Sequence, residues 1–446
     1  YAGARFFELK TVQKMDGAEL SACVNKPCIL ADDEGYNCEW STELTVPDAM
    51  SEYIKAWFIL HVMAKEFNLG AQDGFQFNIS VGYDLEGIKG DKVNTFIDGM
   101  MEAKDTAVFQ ECKKWLLDNA DRFHNFTRED IEAIPSAICN SATISTLHGC
   151  PPQEIESIAN YLLTEKHLNT FVKCNPTLLG YDFARKTMDE MGYDYMVFGD
   201  FHFRDDLQYE DAVPMLTRLM KLSEELGLEF GVKITNTFPV DVTRNELPSE
   251  EMYMSGKSLF PLSISLAAKL SEEFAGKLRI SYSGGADYYN IDRIVGCGIW
   301  PVTMATTLLK AGGYQRFSQV AAKTDGIAPK KWDGIDVDAL KKLAGIAKEV
   351  KLIAPEIIEP IQKLKVGHLG NRNPRLHTDE VLIALSICAV NEPKAALALK
   401  QLEKLKCCEV HSTVILSSVD ENVFKKLGIN LTCEARYETK KLFHRN

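Results

Sequence analysis

Several absences narrow what this chain can be. No apolar run approaches the roughly 20 residues that a bilayer-spanning helix needs, so no membrane role is expected. No polybasic stretch occurs, and acidic residues outnumber basic ones 63 to 50 for a formal net charge of -13. That balance sets aside nucleic acid and anionic lipid as partners. The twelve cysteines include no Cys-x-x-Cys pair. Cys23 and Cys28 are too loosely spaced, and Cys407-Cys408 too adjacent, for a zinc or cluster site, so no metal is expected. Their scatter, with Cys139 and Cys174 inside strand-like runs, does not make a small disulfide framework, and a reducing cytoplasm is the expected setting. The start has no signal-like segment, and the chain is expected to have been cut ahead of Tyr1.

What is present is a long alternation. With 446 residues, 46% of them hydrophobic, the chain can bury a large core. Strand-like runs at 4–12, 75–81, 141–147, 170–175, 229–235, 278–283 and 300–306 alternate with helical stretches, among them 47–67, a helix opening at Gln153, and 216–226. This pattern predicts a parallel sheet covered by helices, in a barrel spanning 1–323. From about Thr324 a polar linker leads into helical runs at 340–352 and 357–364, a loop at 370–380 and one strand candidate at 411–419, giving a helical or mixed extension over 324–446. No catalytic constellation is visible in that extension.

The stretch 278–309 reads as strand, glycine turn, short helix, strand. Gly284-Gly285 lets backbone approach an anion closely, and Thr306-Thr307 ends the next strand with hydroxyls that could share it. The last two strands of a (β/α)8 barrel usually hold a phosphate in this way. An ordinary turn is the alternative for a bare Gly-Gly pair.

Three more features carry chemistry. Cys150 sits between a strand and a Pro151-Pro152 helix start, where a helix dipole favours the thiolate, so it is a candidate acid/base; a buried cysteine beside a proline turn is the competing reading. Lys10, Lys173 and Lys233 all fall on predicted strands, where a cation needs an anionic partner or an electron-rich ligand. Either Lys173 or Lys233 could instead pair with an acid. Asn37, in a polar loop, is a ligand contact or an Asx-turn residue, and the sequence favours the turn. His61 reads as a satisfied residue on its helix.

Taken in order, ELKT (8–11), the Asn37 loop, CPP (150–152), VKCNP (172–176), TNT (235–237), SGKSLFP (255–261), GGAD (284–287) and ATTLL (305–309) resemble the FMN barrel of dihydroorotate and dihydropyrimidine dehydrogenases. STLHGCPP, VKCNPTLLGY, YMSGKSL and SYSGGAD are more similar to the barrel portion of the large flavoprotein family named for a selenate reductase subunit. The resemblance implies a (β/α)8 TIM barrel of the dihydroorotate dehydrogenase type with its first strand missing. It implies that Gly284, Gly285 and Thr306 bind an FMN phosphate near the backbone of Ser255-Gly256, with Thr307 and Lys233 also at the cofactor. Lys173 would face the isoalloxazine, and Lys10 would sit between flavin and substrate. Asn37 and Asn236 would hydrogen-bond a planar heterocycle, and Cys150 would pass the proton.

Two departures stand out: the asparagine expected three residues ahead of the cysteine is Leu147, and the first strand is absent before Tyr1. The larger relatives also carry FAD, NAD(P)H and iron–sulfur modules. With no G-x-G-x-x-G after a strand and no cluster cysteines, those would act through a missing segment or an electron-transfer partner subunit. The expected activity is therefore FMN-dependent oxidoreduction of a C=C or C–C bond in a pyrimidine-like or purine-derived ring. Nothing resembles a molybdenum or selenium oxyanion centre. A Schiff-base lyase on Lys173 or Lys233, and a non-catalytic scaffold barrel, are the alternatives.

Overall fold

The computed structural model describes residues 2–348 except 16, 32–34, 39–40, 146–148, 236, 310–312 and 328–330. Ten strands are assigned: β1 Phe6–Glu8, β2 Ile29–Ala31, β3 Gly35–Asn37, β4 Gln76–Gly82, β5 Ser141–Ser145, β6 Asn169–Cys174, β7 Phe230–Ile234, β8 Phe238–Asp241, β9 Glu251–Ser255 and β10 Arg279–Tyr282. Six of them make a parallel sheet in the order β1-β4-β5-β6-β7-β10, and a bridge from Tyr282 to Val302 carries the pairing one step further. Helices Asp91–Met101, Pro152–Thr164, Tyr209–Leu226 and Phe260–Glu273 lie between successive strands of this sheet, as parallel crossovers require.

Strand alternation divides the residues into two faces. Phe77, Ile79, Val81, Ala142, Ile144, Val172, Cys174, Val232, Ile234, Ile280 and Tyr282 all join one buried cluster with the helices. Each fully buried aliphatic side chain among them contributes about 1.5–3 kcal/mol. The alternate positions include Asn78, Ser80, Thr143, Ser145, Lys173, Lys233 and Ser281 beside the apolar Phe171, and of these all but the half-buried Lys173 are buried. Barrel interiors are ordinarily filled by branched aliphatics; this one is mostly polar. The sheet also curls. Glu8 on edge strand β1 meets Lys233 on β7 at 3.2 Å across 225 residues of sequence, although three strands separate them in the sheet. A flat sheet would hold them well apart, because neighbouring strands lie about 4.8 Å from one another.

Two segments differ from the sequence-based expectation. The run Trp300–Thr306 makes only the bridge at Val302 and then turns into the Thr306–Leu309 helix. Pro301 has no N–H to donate, so the pairing is limited to Tyr282 N–H on Pro301 O at 2.9 Å and Thr303 N–H on Tyr282 O at 2.8 Å. Second, β2, β3, β9 and β8 form a separate antiparallel sheet in that order, where the sequence reading had a loop, a strand tail and a turn. The helix expected at 340–352 is observed as Val337–Ala347 and packs against Phe260–Glu273. The later helical runs, the strand candidate at 411–419 and the tail cysteines lie outside the described residues. Among the described residues no helix is long and apolar enough to cross a membrane, and no group of three His, Cys, Asp or Glu side chains could hold a metal.

The Val46–Glu66 helix starts where Thr45 Oγ1 accepts the Asp48 N–H at 3.2 Å, and Pro47 in its first turn needs no N–H partner. Its inner face buries Ile54, Trp57, Phe58 and His61. His61 is 2% exposed, its ring centroid lies 4.6 Å from that of Trp57, and its Nε2 has no hydrogen-bond partner. Burial pushes its pKa down from 6.5 to about 4, against a smaller upward pull from Asp73. Between those values the unfolded chain holds a proton that the native one does not, so stability falls as pH drops from 6.5 towards 4. The loss expected is on the order of 2–3 kcal/mol. Urea unfolding of wild type and His61→Phe at about pH 7.5 and about pH 5 checks it: the variant should show a weaker pH dependence, and equal slopes for the two proteins would refute the assignment.

Candidate functional site

The carboxyl ends of the parallel strands gather the sequence-predicted residues. Lys173 and Lys233 are register partners on β6 and β7, so their side chains leave the sheet side by side on its inner face. They are held differently. Lys233, 1% exposed, donates to Glu8 Oε2 at 3.2 Å and to Thr303 Oγ1 at 2.8 Å. Lys173, half-buried, donates to Ser145 Oγ at 3.4 Å. Glu8 Oε2 also accepts the Asn78 amide at 3.2 Å, and that amide reaches Thr143 Oγ1 at 2.9 Å. The acid-paired reading of a strand lysine therefore describes Lys233. Lys10 lies just beyond β1, is exposed, and donates to Ser41 O at 3.0 Å.

Beyond these strand ends three glycines pack closely against two hydroxyls. Ser255 Oγ and Thr306 Oγ1 are 2.9 Å apart. A Cβ placed on Gly35 would meet Ser255 Oγ at 2.6 Å and Thr306 Oγ1 at 2.8 Å, and one on Gly256 would meet Thr306 Cγ2 at 3.0 Å. Gly285, with φ of +86°, would meet Gly256 O at 2.6 Å. Gly35, Ser255, Gly256, Gly285 and Thr306 thus converge from β3, β9 and the turns after β9, β10 and Val302. Positive φ at Gly256 (+78°) and Gly285 (+86°) and the lack of space at Gly35 and Gly285 disfavour a side chain at these positions. The turn is braced from behind: Ser263 Oγ donates to Gly284 O at 2.6 Å, and Asn290 Nδ2 to Gly285 O at 2.9 Å. Asn290 Oδ1 accepts the Asp287 N–H at 2.9 Å. Thr307 stays outside this group, its hydroxyl donating to Ala286 O at 3.5 Å.

The antiparallel sheet brings Asn37 to the same region. Gly35 pairs with Ser255 and Asn37 with Tyr253 in the β3–β9 register. Asn37 is on a strand, not in an Asx turn, and its Oδ1 is buried without a hydrogen-bond partner. A stranded amide oxygen of this kind costs about 1–3 kcal/mol unless a ligand satisfies it. Asn236 and Leu147 lie outside the described residues. Their neighbours are placed: Thr235 Oγ1 donates to Asn175 Oδ1 at 3.0 Å, joining the ends of β7 and β6.

Cys150 follows β5, with Pro151 capping the Pro152–Thr164 helix. Its thiol is partly buried and lies 3.9 Å from Pro151 O. Sequence reasoning missed Asn290, Ser263, Gly35 and Asp206. The first two brace the glycine turn, and Gly35 packs against Ser255 and Thr306. A signal existed for Gly35 in its place two residues ahead of Asn37, but its strand partner Ser255 is 220 residues away in sequence and only the β3–β9 register reveals it.

A family described as oxidoreductase YgfK, N-terminal TIM-barrel domain, matches residues 1–353. The chain belongs to this family. Residues of the YgfK-type barrel are 48% identical over 357 positions to "Putative oxidoreductase YgfK" of Escherichia coli (strain K12), covering 77% of this chain and 34% of that protein. The chain thus spans about a third of the length of the curated relatives its barrel matches. Residues 335–443 match a second description, the C-terminal part of a domain of unknown function, DUF1846. There the chain is 56% identical over 109 residues to a UPF0371 protein of Corynebacterium glutamicum (strain R), covering 24% of this chain and 22% of that protein. Among solved structures, a dihydroorotate dehydrogenase of Eimeria tenella in complex with ferulenol aligns at 14% identity with a TM-score of 0.41, covering 76% of this chain and 79% of that one.

Proposed function

We propose that this chain is the FMN-binding barrel of an oxidoreductase. Its substrate is a pyrimidine-like or purine-derived heterocycle, reduced or oxidised at a C=C or C–C bond. The observation that carries the reading is the close convergence of Gly35, Gly256 and Gly285 with the Ser255 and Thr306 hydroxyls, together with two register-paired lysines on the inner face of the sheet. The phosphate is assigned to this cluster, because Cβ-free backbone and two hydroxyls can approach an anion closely. FMN bound there would supply the hydride acceptor or donor that no protein side chain provides.

The chain's own residues have distinct tasks in this reading. Gly35, Ser255, Gly256, Gly285 and Thr306 hold the phosphate end. Lys173 places a cation against the electron-rich ring, while Lys233 stays committed to Glu8 and Thr303 and sets the field beneath it. Asn37, through its unpartnered Oδ1, takes a donor of the heterocycle, and Asn236 is assigned to the same face. Lys10 stands at the substrate end, and Cys150 gives or takes the proton that accompanies the hydride. Electrons enter or leave through an NAD(P)H-linked flavin and iron–sulfur partner module, consistent with relatives of which this chain matches about a third. The Schiff-base alternative is disfavoured at Lys233, whose ammonium is taken up by Glu8 and Thr303.

A visible spectrum of the purified protein, followed by identification of the released cofactor, tests the class. Bound FMN is expected; a colourless protein that takes up no added FMN would remove the reading, and borohydride trapping of a carbonyl compound on Lys173 would replace it. Cys150→Ser should slow reduction of the bound flavin by about 10²–10⁴-fold at neutral pH. The rate is measured with whichever members of a dihydropyrimidine and purine panel reduce the wild type. Unchanged turnover would take the proton-transfer role away from Cys150.

A further inference from the structure

A buried carboxylate that the proposed chemistry does not use ties two of the site loops together. Asp206 is 6% exposed and follows the short Phe201–Asp205 helix. Its Oδ1 accepts the Gly149 N–H at 2.9 Å, and its Oδ2 accepts the Thr177 hydroxyl at 2.8 Å. Gly149 is the residue before Cys150, at φ +77°. Thr177 lies in the Pro176–Leu179 turn, two residues beyond Asn175. Asp206 is itself pinned, its N–H bonded to His202 O at 3.0 Å and its carbonyl accepting Gln208 Nε2. One side chain therefore links the loop after β5 to the turn after β6.

We propose that Asp206 is the positioning residue of the Cys150 loop, holding the thiol at the start of the Pro152–Thr164 helix through the Gly149 amide. This rests on the reading of Cys150 as the proton-transfer group, but its physical content does not need flavin or substrate. A positive-φ glycine has many alternative conformations, and a charge-assisted bond to its amide selects one. The Thr177 bond fixes the carboxylate in turn. A thiol kept at a helix N-terminus is favoured as thiolate, and releasing the loop lets it drift from that position.

The test is the rate of Cys150 alkylation by iodoacetamide as a function of pH, read by mass spectrometry of its peptide. Asp206→Ala should shift the pH midpoint upward and lower the rate at neutral pH by about threefold. Asp206→Asn can still accept from Gly149 and donate to Thr177, so it should return within about twofold of wild type. Thr177→Val removes one anchor and should fall between. An Asp206→Ala profile superimposing on wild type overturns the proposal, as does an Asn variant no better than Ala, which would mean that charge and not placement is at work. If Ala fails to fold, Thr177→Val against Asn decides. Failure of the flavin reading looks different: no bound FMN, or normal turnover by Cys150→Ser, with the alkylation ranking intact.

Discussion

Lys233→Met is expected to lower the unfolding free energy by about 3–5 kcal/mol, whereas the double substitution Glu8→Gln with Lys233→Met loses clearly less. The ammonium is 1% exposed and bonds Glu8 Oε2 and Thr303 Oγ1. Without it, Glu8 keeps the Asn78 amide at 3.2 Å, and a carboxylate whose side chain is 16% exposed has little water to turn to. The cost arises from the stranded charge, not from the attraction lost, so neutralising Glu8 as well should recover much of it. Urea unfolding of the two single variants and the double checks this. Additive losses would mean that the pair is not coupled, and that the curl of the sheet does not depend on its being closed across the interior by Glu8 and Lys233.

The second large effect concerns the glycine–hydroxyl cluster. Gly285→Ala should weaken FMN binding by at least about 100-fold, equivalent to ~2.7 kcal/mol. A Cβ there meets Gly256 O at 2.6 Å, Phe260 Cβ at 2.7 Å and Phe260 N at 2.9 Å, and φ is +86°. Two of these atoms are backbone and cannot swing aside, so the turn after β9 must move away from Thr306. Thr306→Val leaves the backbone unchanged and removes only the hydroxyl that meets Ser255 Oγ at 2.9 Å; it should cost about tenfold. Fluorescence titration of FMN against each apoprotein gives both numbers, and thermal melts of the apoproteins separate lost affinity from lost fold. Wild-type affinity in both variants would mean that the phosphate does not sit here.

These effects bear on how far a one-dimensional reading reaches. Strand periodicity and the helix starts at Pro47 and Pro151-Pro152 are local properties, set by neighbours within a few residues. They sufficed for the parallel α/β architecture and for choosing Cys150, Lys173, Lys233, Gly285 and Thr306 as candidates, while Ser255 and Gly256 entered through the family resemblance. The antiparallel sheet was missed because its strands are three to five residues long and two of them lie about 200 residues from the others, and such short runs have no distinctive period. β8 and β9 are joined by a loop with Asn245 at positive φ, the one local signal of a hairpin in that segment.

What the sequence by itself determined is which side chains could do chemistry and, for Lys173, Lys233 and Cys150, on what kind of element each sits. It could not tell Lys173 from Lys233, since both are lysines on strands of equal pattern. Tertiary structure decided that by bringing Glu8 across the curl of the sheet to Lys233. It likewise decided that Asn37 is a strand residue with an unsatisfied oxygen, that Gly35 packs against Ser255 and Thr306, and that Asp206 links the Cys150 loop to Thr177. The physical reason is common to all four. Hydrogen bonds and ion pairs act over about 3 Å, while the residues joined here stand tens to hundreds of positions apart, and only the packed chain closes that distance.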